Sequence, residues 1–159
     1  MSPLVSILVP TFNVRSTLRE TLRSALDQTW QAKEIIVVKD GSTDDTAAIA
    51  EEFASRGVRV VTQFREGAAA ARSKAFSLSS GDYVQWLDAD DLLAPDKIER
   101  QICTLDRCSH RTVLSSAWGR FWYRPSRAQF NPSSLWCDLT PLEWLLRKME
   151  ENMFVQTAT

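Results

Sequence analysis

An acidic cluster that directly follows an apolar stretch is the part of this sequence best suited to chemistry. The cluster is Asp88-Ala89-Asp90-Asp91, and residues 83–87 precede it. Carboxylates this close together repel one another, and a divalent cation that bridges them to ligand phosphates relieves the repulsion. The cluster therefore indicates a site for a metal ion and a nucleotide. On these residues alone, a solvated acidic turn before a helix that starts near Pro95 is an equal alternative.

A first polar segment, Pro10-Thr11-Phe12-Asn13, follows the β-branched run at residues 5–9. Proline ends the hydrogen-bond ladder of a strand, and the short polar side chains expose hydroxyl and amide groups beside a flat ring. Phe12 is therefore a candidate to face a nucleobase. An ordinary turn that caps the next helix is the commoner explanation for such a segment taken alone.

A second polar segment, Lys39-Asp40-Gly41-Ser42-Thr43-Asp44-Asp45, follows the run at residues 35–38. Gly41 permits a turn with positive φ, and the residues from Ser42 to Asp44 can cap the next helix. Asp40 can accept a hydrogen bond from a nucleobase or a ribose. A bare Asp-Gly turn is common, but the longer string favours Asp40 as a ligand contact and Asp44 as a structural residue.

A third segment, Glu66-Gly67-Ala68-Ala69-Ala70-Ala71-Arg72, opens a predicted helix. Small residues at a helix N-terminus let an anionic group approach the free amides, and Arg72 can add a charge-assisted hydrogen bond. The segment thus favours a phosphate contact. Arg72 is equally suited to be a structural partner for the carboxylates of residues 88–91.

The first hundred residues alternate predicted strands with predicted helices. The strands are residues 5–9, 35–38, 58–61 and 83–87, and the helical patterns cover residues 18–26, 47–53 and 68–78. Such alternation predicts an α/β fold with a mostly parallel sheet flanked by helices and with ligands at the carboxyl ends of its strands. Every polar segment described above falls at such an end.

Length and composition set the limits of the interpretation. At 159 residues the sequence predicts a single domain, and a formal net charge of −1 gives no reason to expect nucleic acid as a partner. No apolar run reaches the roughly 18 residues that a membrane span needs, and no signal peptide is recognisable.

The cysteines and the histidine exclude several kinds of site. Cys103, Cys108 and Cys137 are an odd number without metal-ligand spacing, which favours reduced thiols in a cytoplasmic protein. His110 is the only histidine, so a histidine-based catalytic triad and a multi-histidine metal site are both excluded.

Taken together and in order, the four motifs resemble those of the family 2 glycosyltransferases, which have the GT-A (Rossmann-like) fold. The resemblance rests on residues 5–13, 34–44, 67–72 and 81–95 and covers roughly the first hundred residues. Four motifs in the right order make it specific. The whole chain, residues 1–159, would then be one nucleotide-sugar-binding domain that lacks the acceptor-binding part of such an enzyme.

The resemblance implies a role for each candidate residue. Thr11, Phe12 and Asp40 would hold the nucleoside, and Arg72 would contact the nucleotide sugar. Asp88 and Asp90 would form the Asp-x-Asp pair, in which Asp90 binds Mg²⁺ or Mn²⁺ and Asp88 lies near the ribose or the sugar. The metal would neutralise the charge that develops on the departing diphosphate, which requires no histidine.

The resemblance also implies partners and a location. The donor would be a nucleotide-diphosphate sugar, most simply a UDP-sugar, and the acceptor is not specified by the sequence. We expect a cytoplasmic protein that can associate peripherally with the inner face of the membrane. Apolar surface around Trp136, Trp144 and Phe154 further predicts a homo-oligomer.

Three positions depart from the family pattern. Lys39 stands where a second aspartate is frequent, and Ser73 and Ala75 stand where Asn and Gly are frequent. These departures bear on the preference for a sugar or a nucleotide more than on the fold.

The sequence after Pro95 has a different character. It predicts a helix at residues 97–105, one or two aromatic-rich strands at residues 112–124, and a helix at residues 140–149 with Pro141 at its start. Four tryptophans are concentrated here, and we expect most of them in a small core rather than against sugar rings. They are Trp118, Trp122, Trp136 and Trp144.

No convincing catalytic base is visible in this second part. Glu150 and Glu151 belong to a charged helix end, and Asp138 is a further carboxylate. Two functional classes therefore stay open: the donor part of an inverting glycosyltransferase, and a nucleotide-sugar binding module without turnover. A phosphatase-like hydrolase with an aspartate nucleophile is a weaker third class, because Asp88 lies late in the chain and the turn after the second strand would then have no role.

Overall fold

The chain divides into two compact units, an N-terminal unit (Met1–Arg107) and a C-terminal unit (Cys108–Thr157). The computed structural model describes residues 2–105, 114–122 and 124–150. Four residues named above, Cys108, His110, Glu151 and Phe154, lie outside the described residues. Nothing in either unit tests the expectation of one functional domain over residues 1–159, which stays a prediction.

The N-terminal unit is built on a four-stranded parallel sheet. Its strands are β1 (Val5–Thr11), β2 (Lys33–Asp40), β3 (Val58–Gln63) and β4 (Tyr83–Trp86), in the spatial order β3-β2-β1-β4. All four predicted strands and the α/β fold class are confirmed. β1 and β2 run further than the β-branched runs that predicted them and end at Thr11 and Asp40, so two candidate residues are the last residues of strands.

The helices that flank this sheet are α1 (Leu18–Leu26), α2 (Thr46–Glu52), α3 (Ala68–Leu78) and α4 (Lys97–Leu105), with a short 3₁₀ helix at Ala54–Arg56. Alternate residues of β1 face opposite sides of the sheet: Ile7 and Val9 join the core with α1 and α2, while Leu8 packs with α3. The sheet is therefore covered on both faces, as its apolar strands predict.

α3 lies close to the sheet because its contact residues are small. Ala71 and Ala75 are buried against Leu8, Ile36 and Val38 of the two central strands. An alanine side chain allows a helix backbone to approach a sheet closely. This close packing places the first turn of α3 beside the carboxyl ends of β1 and β2.

The C-terminal unit contains one α-helix, α5 (Pro141–Glu150), and a 3₁₀ turn at Pro125–Arg127 in its described part. α5 begins at Pro141 as predicted. Thr140 and Glu143 form a reciprocal capping box: the Thr140 N–H donates to Glu143 Oε2, and the Glu143 N–H donates to Thr140 Oγ1. No helix in the described part of the chain is long and apolar enough to cross a membrane.

Two expectations for the C-terminal unit are wrong. The predicted strand segment 112–124 forms no strand at its described residues, 114–122 and 124, while residues 112, 113 and 123 lie outside the described part. A single antiparallel bridge joins Arg120 to Gln129 in the described residues. Aromatic residues favour strands only where a neighbouring strand pairs with them. The expectation of buried tryptophans fails most clearly for Trp122, which is 91% exposed. Trp118 and Trp136 are half-buried and meet edge to face, with ring centroids 6.3 Å apart.

Candidate functional site

The carboxyl ends of β1, β2 and β4 meet around one cavity of about 360 Å³ in the N-terminal unit. Its lining includes all six side chains that the sequence singled out: Thr11, Phe12, Asp40, Arg72, Asp88 and Asp90. A more open depression of about 460 Å³ along the exposed face of α3 contains none of them. The six residues come from four separate segments of the chain, and the parallel sheet brings these segments together.

Asp40, at the end of β2, anchors the loop that precedes α3. Its Oδ1 accepts hydrogen bonds from Gln63 Nε2 and the Glu66 N–H, both at 2.8 Å, and its Oδ2 accepts one from the Gly67 N–H at 2.9 Å. The Glu66 N–H is the main reason that the pKa of Asp40 lies below its usual range, although burial opposes the shift. A carboxylate has about four acceptor positions, so one position on Oδ2 remains for a ligand.

Gly41 lets this loop pack against the turn after β2. Its φ is +66°, and a Cβ at this position would lie 3.0 Å from both the Cβ and the backbone N of Arg65. The Arg65 guanidinium in turn lies 4.8 Å from the centroid of the Phe12 ring. Arg65 also lines the cavity. This residue was not identified from the sequence, and its only signal was a cation two residues before Gly67, which precedes α3.

The segment after β1 is tied to the turn after β2. The Thr11 hydroxyl donates to the Val38 carbonyl at 3.1 Å, so it is engaged within the sheet. Asn13 Oδ1 accepts from the Thr43 N–H at 2.9 Å. Asp44 accepts from the Thr46 N–H at 3.0 Å, at the start of α2, which matches the structural role expected for it. These contacts fix the backbone on which Phe12 is presented.

The acidic turn after β4 is held against α1. The Ala89 carbonyl accepts from the hydroxyls of Thr17 and Thr21, at 2.9 and 3.0 Å. Arg72 Nη2 lies 2.8 Å from Asp88 Oδ1, so the ion-pair alternative for Arg72 is realised. Asp90 is exposed and lines the cavity. Both carboxylates of the Asp-x-Asp pair therefore line the cavity, but their surroundings differ: Asp88 is half-buried and paired with Arg72, and Asp90 is exposed.

The donor set at this end of the cavity suits a magnesium-like ion. Within residues 2–105, 114–122 and 124–150, no three Asp, Glu, His or Cys side chains come together as a ready metal-ligand set. Mg²⁺ is usually bound by one or two carboxylates together with the phosphates of a substrate. The Asp90 carboxylate, with Asp88 two residues away, matches that requirement.

Comparisons with known proteins identify the family of this chain. The family model for glycosyl transferase family 2 matches residues 6–156. The chain belongs to glycosyl transferase family 2. Among curated relatives of this family 2 member are the uncharacterized glycosyltransferase RT0329 of Rickettsia typhi, 41% identical over 115 residues, and the putative teichuronic acid biosynthesis glycosyltransferase TuaG of Bacillus subtilis, 40% identical over 103 residues.

The match covers much of this chain but a smaller part of its relatives. The aligned region is 71% of the chain for RT0329 and 63% for TuaG, but 35% and 41% of those proteins. The chain therefore spans about a third to two fifths of their length.

Solved structures confirm the GT-A fold of the family 2 domain. S. aureus TarS 1–349 is 26% identical with a TM-score of 0.59, and the match covers 65% of this chain and 32% of TarS. The mannosyltransferase PcManGT of Pyrobaculum calidifontis, solved with GDP-Man and Mn²⁺, is 27% identical with a TM-score of 0.60. That match covers 66% of this chain and 33% of PcManGT.

Proposed function

We propose that this chain supplies the donor-binding part of a metal-dependent, inverting glycosyltransferase, which transfers a sugar from a UDP-sugar to an acceptor. The observation that supports this best is the convergence of the six candidate side chains on one cavity at the carboxyl edge of the sheet. Ligands of open parallel sheets bind at this edge. The two ends of the cavity differ in chemistry, and each suits a different part of a nucleotide sugar.

The end at Phe12 and Asp40 suits the nucleoside. Phe12 is 37% exposed and offers a ring face to a base. Asp40 keeps one acceptor position, since its other positions are occupied by the loop. Uracil has a single ring N–H between its carbonyls, whereas guanine presents a ring N–H together with an amino group. A single free acceptor therefore favours uridine over guanosine.

The end at Arg72, Asp88 and Asp90 suits the diphosphate and a metal ion. Arg72 lines the cavity while it is paired with Asp88, and it carries further donors for a phosphate. Asp90 would hold Mg²⁺ or Mn²⁺, with Asp88 beside it. When bound, the ion neutralises charge on the departing diphosphate. The structural neighbour PcManGT was solved in complex with GDP-Man and Mn²⁺, which supports a divalent metal at this site.

Transfer with inversion requires an acceptor hydroxyl to attack the anomeric carbon on the face opposite the diphosphate. A carboxylate that takes the proton of this hydroxyl typically contributes about 10² to 10⁴-fold. Asp138 and Glu150 are both exposed in the C-terminal unit and are the first described carboxylates to test for this role.

The nucleotide preference can be measured directly. UDP, GDP and ADP are titrated into the 159-residue chain by calorimetry, with Mn²⁺ and with a chelator. We expect UDP to bind most tightly, because its base matches the single free acceptor of Asp40. Tighter binding of GDP would contradict the assignment of uridine but retain a nucleotide-sugar site. The absence of binding by all three nucleotides would contradict the proposed function itself.

A further inference from the structure

One cation at the nucleoside end of the cavity has no role in the motifs that identified the site. This cation is Arg65, which lines the cavity together with Phe12 and Asp40. We propose that Arg65 is a specificity-determining residue of the donor site, where it donates a hydrogen bond to a nucleobase carbonyl beside the N–H that Asp40 accepts. This role rests on the proposed function and adds a residue to it.

The position of Arg65 is set by its surroundings. The residues on its C-terminal side, Glu66 and Gly67, are held to Asp40 through their N–H groups. The turn after β2 packs against it at Gly41, which leaves room for the Arg65 backbone, because any larger residue would place a Cβ 3.0 Å from the Arg65 N. The backbone that carries this guanidinium is therefore held by two separate contacts.

The guanidinium lies over the aromatic ring rather than beside a carboxylate oxygen. Its Cζ is 4.8 Å from the Phe12 centroid, within the range of a cation–π contact. In the part of the chain that the structure describes, the Arg65 side chain forms no hydrogen bond and no ion pair. Arg72 differs, because it donates to Asp88 at 2.8 Å. The N–H groups of Arg65 are thus available to a ligand in the cavity.

Arg65 and Asp40 together present a donor beside an acceptor. Their proximity shows in Asp40, whose pKa is held low first by the Glu66 N–H and also by the charge of Arg65. A uracil ring carries the complementary pattern, an N–H flanked by carbonyls. Adenine has no carbonyl. A bidentate or paired contact of this kind discriminates between bases by about 1 to 3 kcal/mol in known recognition sites, or roughly fivefold to more than a hundredfold.

The test compares three probes and two substitutions of the arginine. Arg65→Met keeps much of the length of the side chain but removes its charge and its donors. UDP, ADP and inorganic pyrophosphate are titrated into the wild-type chain and into this variant. We expect UDP affinity to fall about tenfold or more, the UDP-to-ADP preference to narrow, and pyrophosphate affinity to stay unchanged. Arg65→Lys keeps the charge but loses the planar guanidinium and its fixed set of donors. The ratio of UDP affinity to ADP affinity should therefore fall in this variant as well.

Arg56→Met is the matched control. Arg56 lies 5.4 Å from the Phe53 centroid, in a cation–π contact away from the cavity lining. The control should leave all three affinities unchanged. A parallel loss of UDP and pyrophosphate affinity in Arg65→Met would overturn the proposal, because it would assign Arg65 to the phosphates. Unchanged UDP affinity would overturn it too, while leaving the donor site intact. If the wild-type chain binds no nucleotide, both this proposal and the proposed function fall.

Discussion

Arg72 and Asp88 form an ion pair across the candidate site, with Nη2 and Oδ1 2.8 Å apart, and so connect the first turns of α3 to the end of β4. Their side chains are 37% and 27% exposed. Pairs that are this accessible to water typically contribute about 0 to 1 kcal/mol to stability. The main effect of the pair is therefore local. It compensates the charge of Asp88, whereas Asp90, which also lines the cavity, forms no ion pair in the described part of the chain.

Replacing Arg72 should reduce phosphate binding more than stability. We expect Arg72→Met to weaken UDP and inorganic pyrophosphate alike, since both rely on the same charge, and to lower the free energy of unfolding by about 1 kcal/mol or less. Calorimetry and urea denaturation measure the two effects. Unchanged pyrophosphate affinity would argue against a phosphate role for Arg72.

The fold of the N-terminal unit could be predicted because local patterns and tertiary packing agree. The bounds of α3, Ala68–Leu78, follow from its alanine-rich pattern, and the β-branched runs mark all four strands. The convergence of the candidate residues also follows from the sequence, because the carboxyl ends of parallel strands share one edge of a sheet.

The partners of the site residues could not be predicted in this way. Asp40 binds donors that lie 23 to 27 residues later in the chain, and no local pattern specifies such contacts. The place of Arg65 over Phe12 depends on the same loop. The strand prediction for the aromatic segment at 114–122 failed for a related reason: strand propensity is realised only when a partner strand is present.

Gly41 and Gly57 both have a positive φ, so substituting each of them distinguishes the effect of backbone strain from the effect of loop packing. At Gly57, where φ is +89°, an added Cβ would have no neighbour within 4 Å, whereas a Cβ on Gly41 would meet Arg65. We expect Gly41→Ala and Gly57→Ala each to lose about 1 to 2 kcal/mol of stability from strain. Only Gly41→Ala should also weaken UDP binding. Equal UDP affinity in both variants would mean that the position of the loop does not matter for the ligand.

Lys97 should make the free energy of unfolding rise with pH in the alkaline range. Burial lowers its pKa from 10.5 to about 8, although its Nζ donates to Gln85 and Gln101. Between these two values the unfolded chain binds the proton and the folded protein does not, so stability rises with pH. At about 1.4 kcal/mol per pKa unit, the rise is on the order of 3 kcal/mol.

Denaturation at several pH values between 8 and 10.5 measures this effect. Lys97→Met should remove the rise, and Lys74→Met, at an exposed position on α3, should retain it. The same slope in Lys97→Met and in the wild type would show that Lys97 is not the responsible group.

Asp40 should contribute to the affinity for the nucleotide even when no metal is present. Asp40→Asn removes the charge and at least one acceptor from the loop donors, so we expect a loss of about 1 to 3 kcal/mol in UDP binding in the presence of a chelator. Its low pKa adds a second readout. The stability that Asp40 contributes is present above about pH 4 and is lost as the pH falls through the lowered pKa. Asp40→Asn should not show this loss of stability in acid. A loss of UDP affinity that appears only in metal-containing buffer would contradict the assignment of Asp40 to the nucleoside.

The dependence of UDP affinity on Mn²⁺ tests the proposed function most directly, because one affinity ratio reports on the nucleotide, the metal and Asp90 together. UDP is titrated by calorimetry with Mn²⁺ and with chelator into the wild type, Asp90→Ala and the control Asp96→Ala, whose carboxylate lies outside the cavity lining. We predict that Mn²⁺ raises UDP affinity about tenfold or more in the wild type and the control, and that Asp90→Ala loses most of this gain. Equal UDP affinity with Mn²⁺ and with chelator in the wild type would contradict the account.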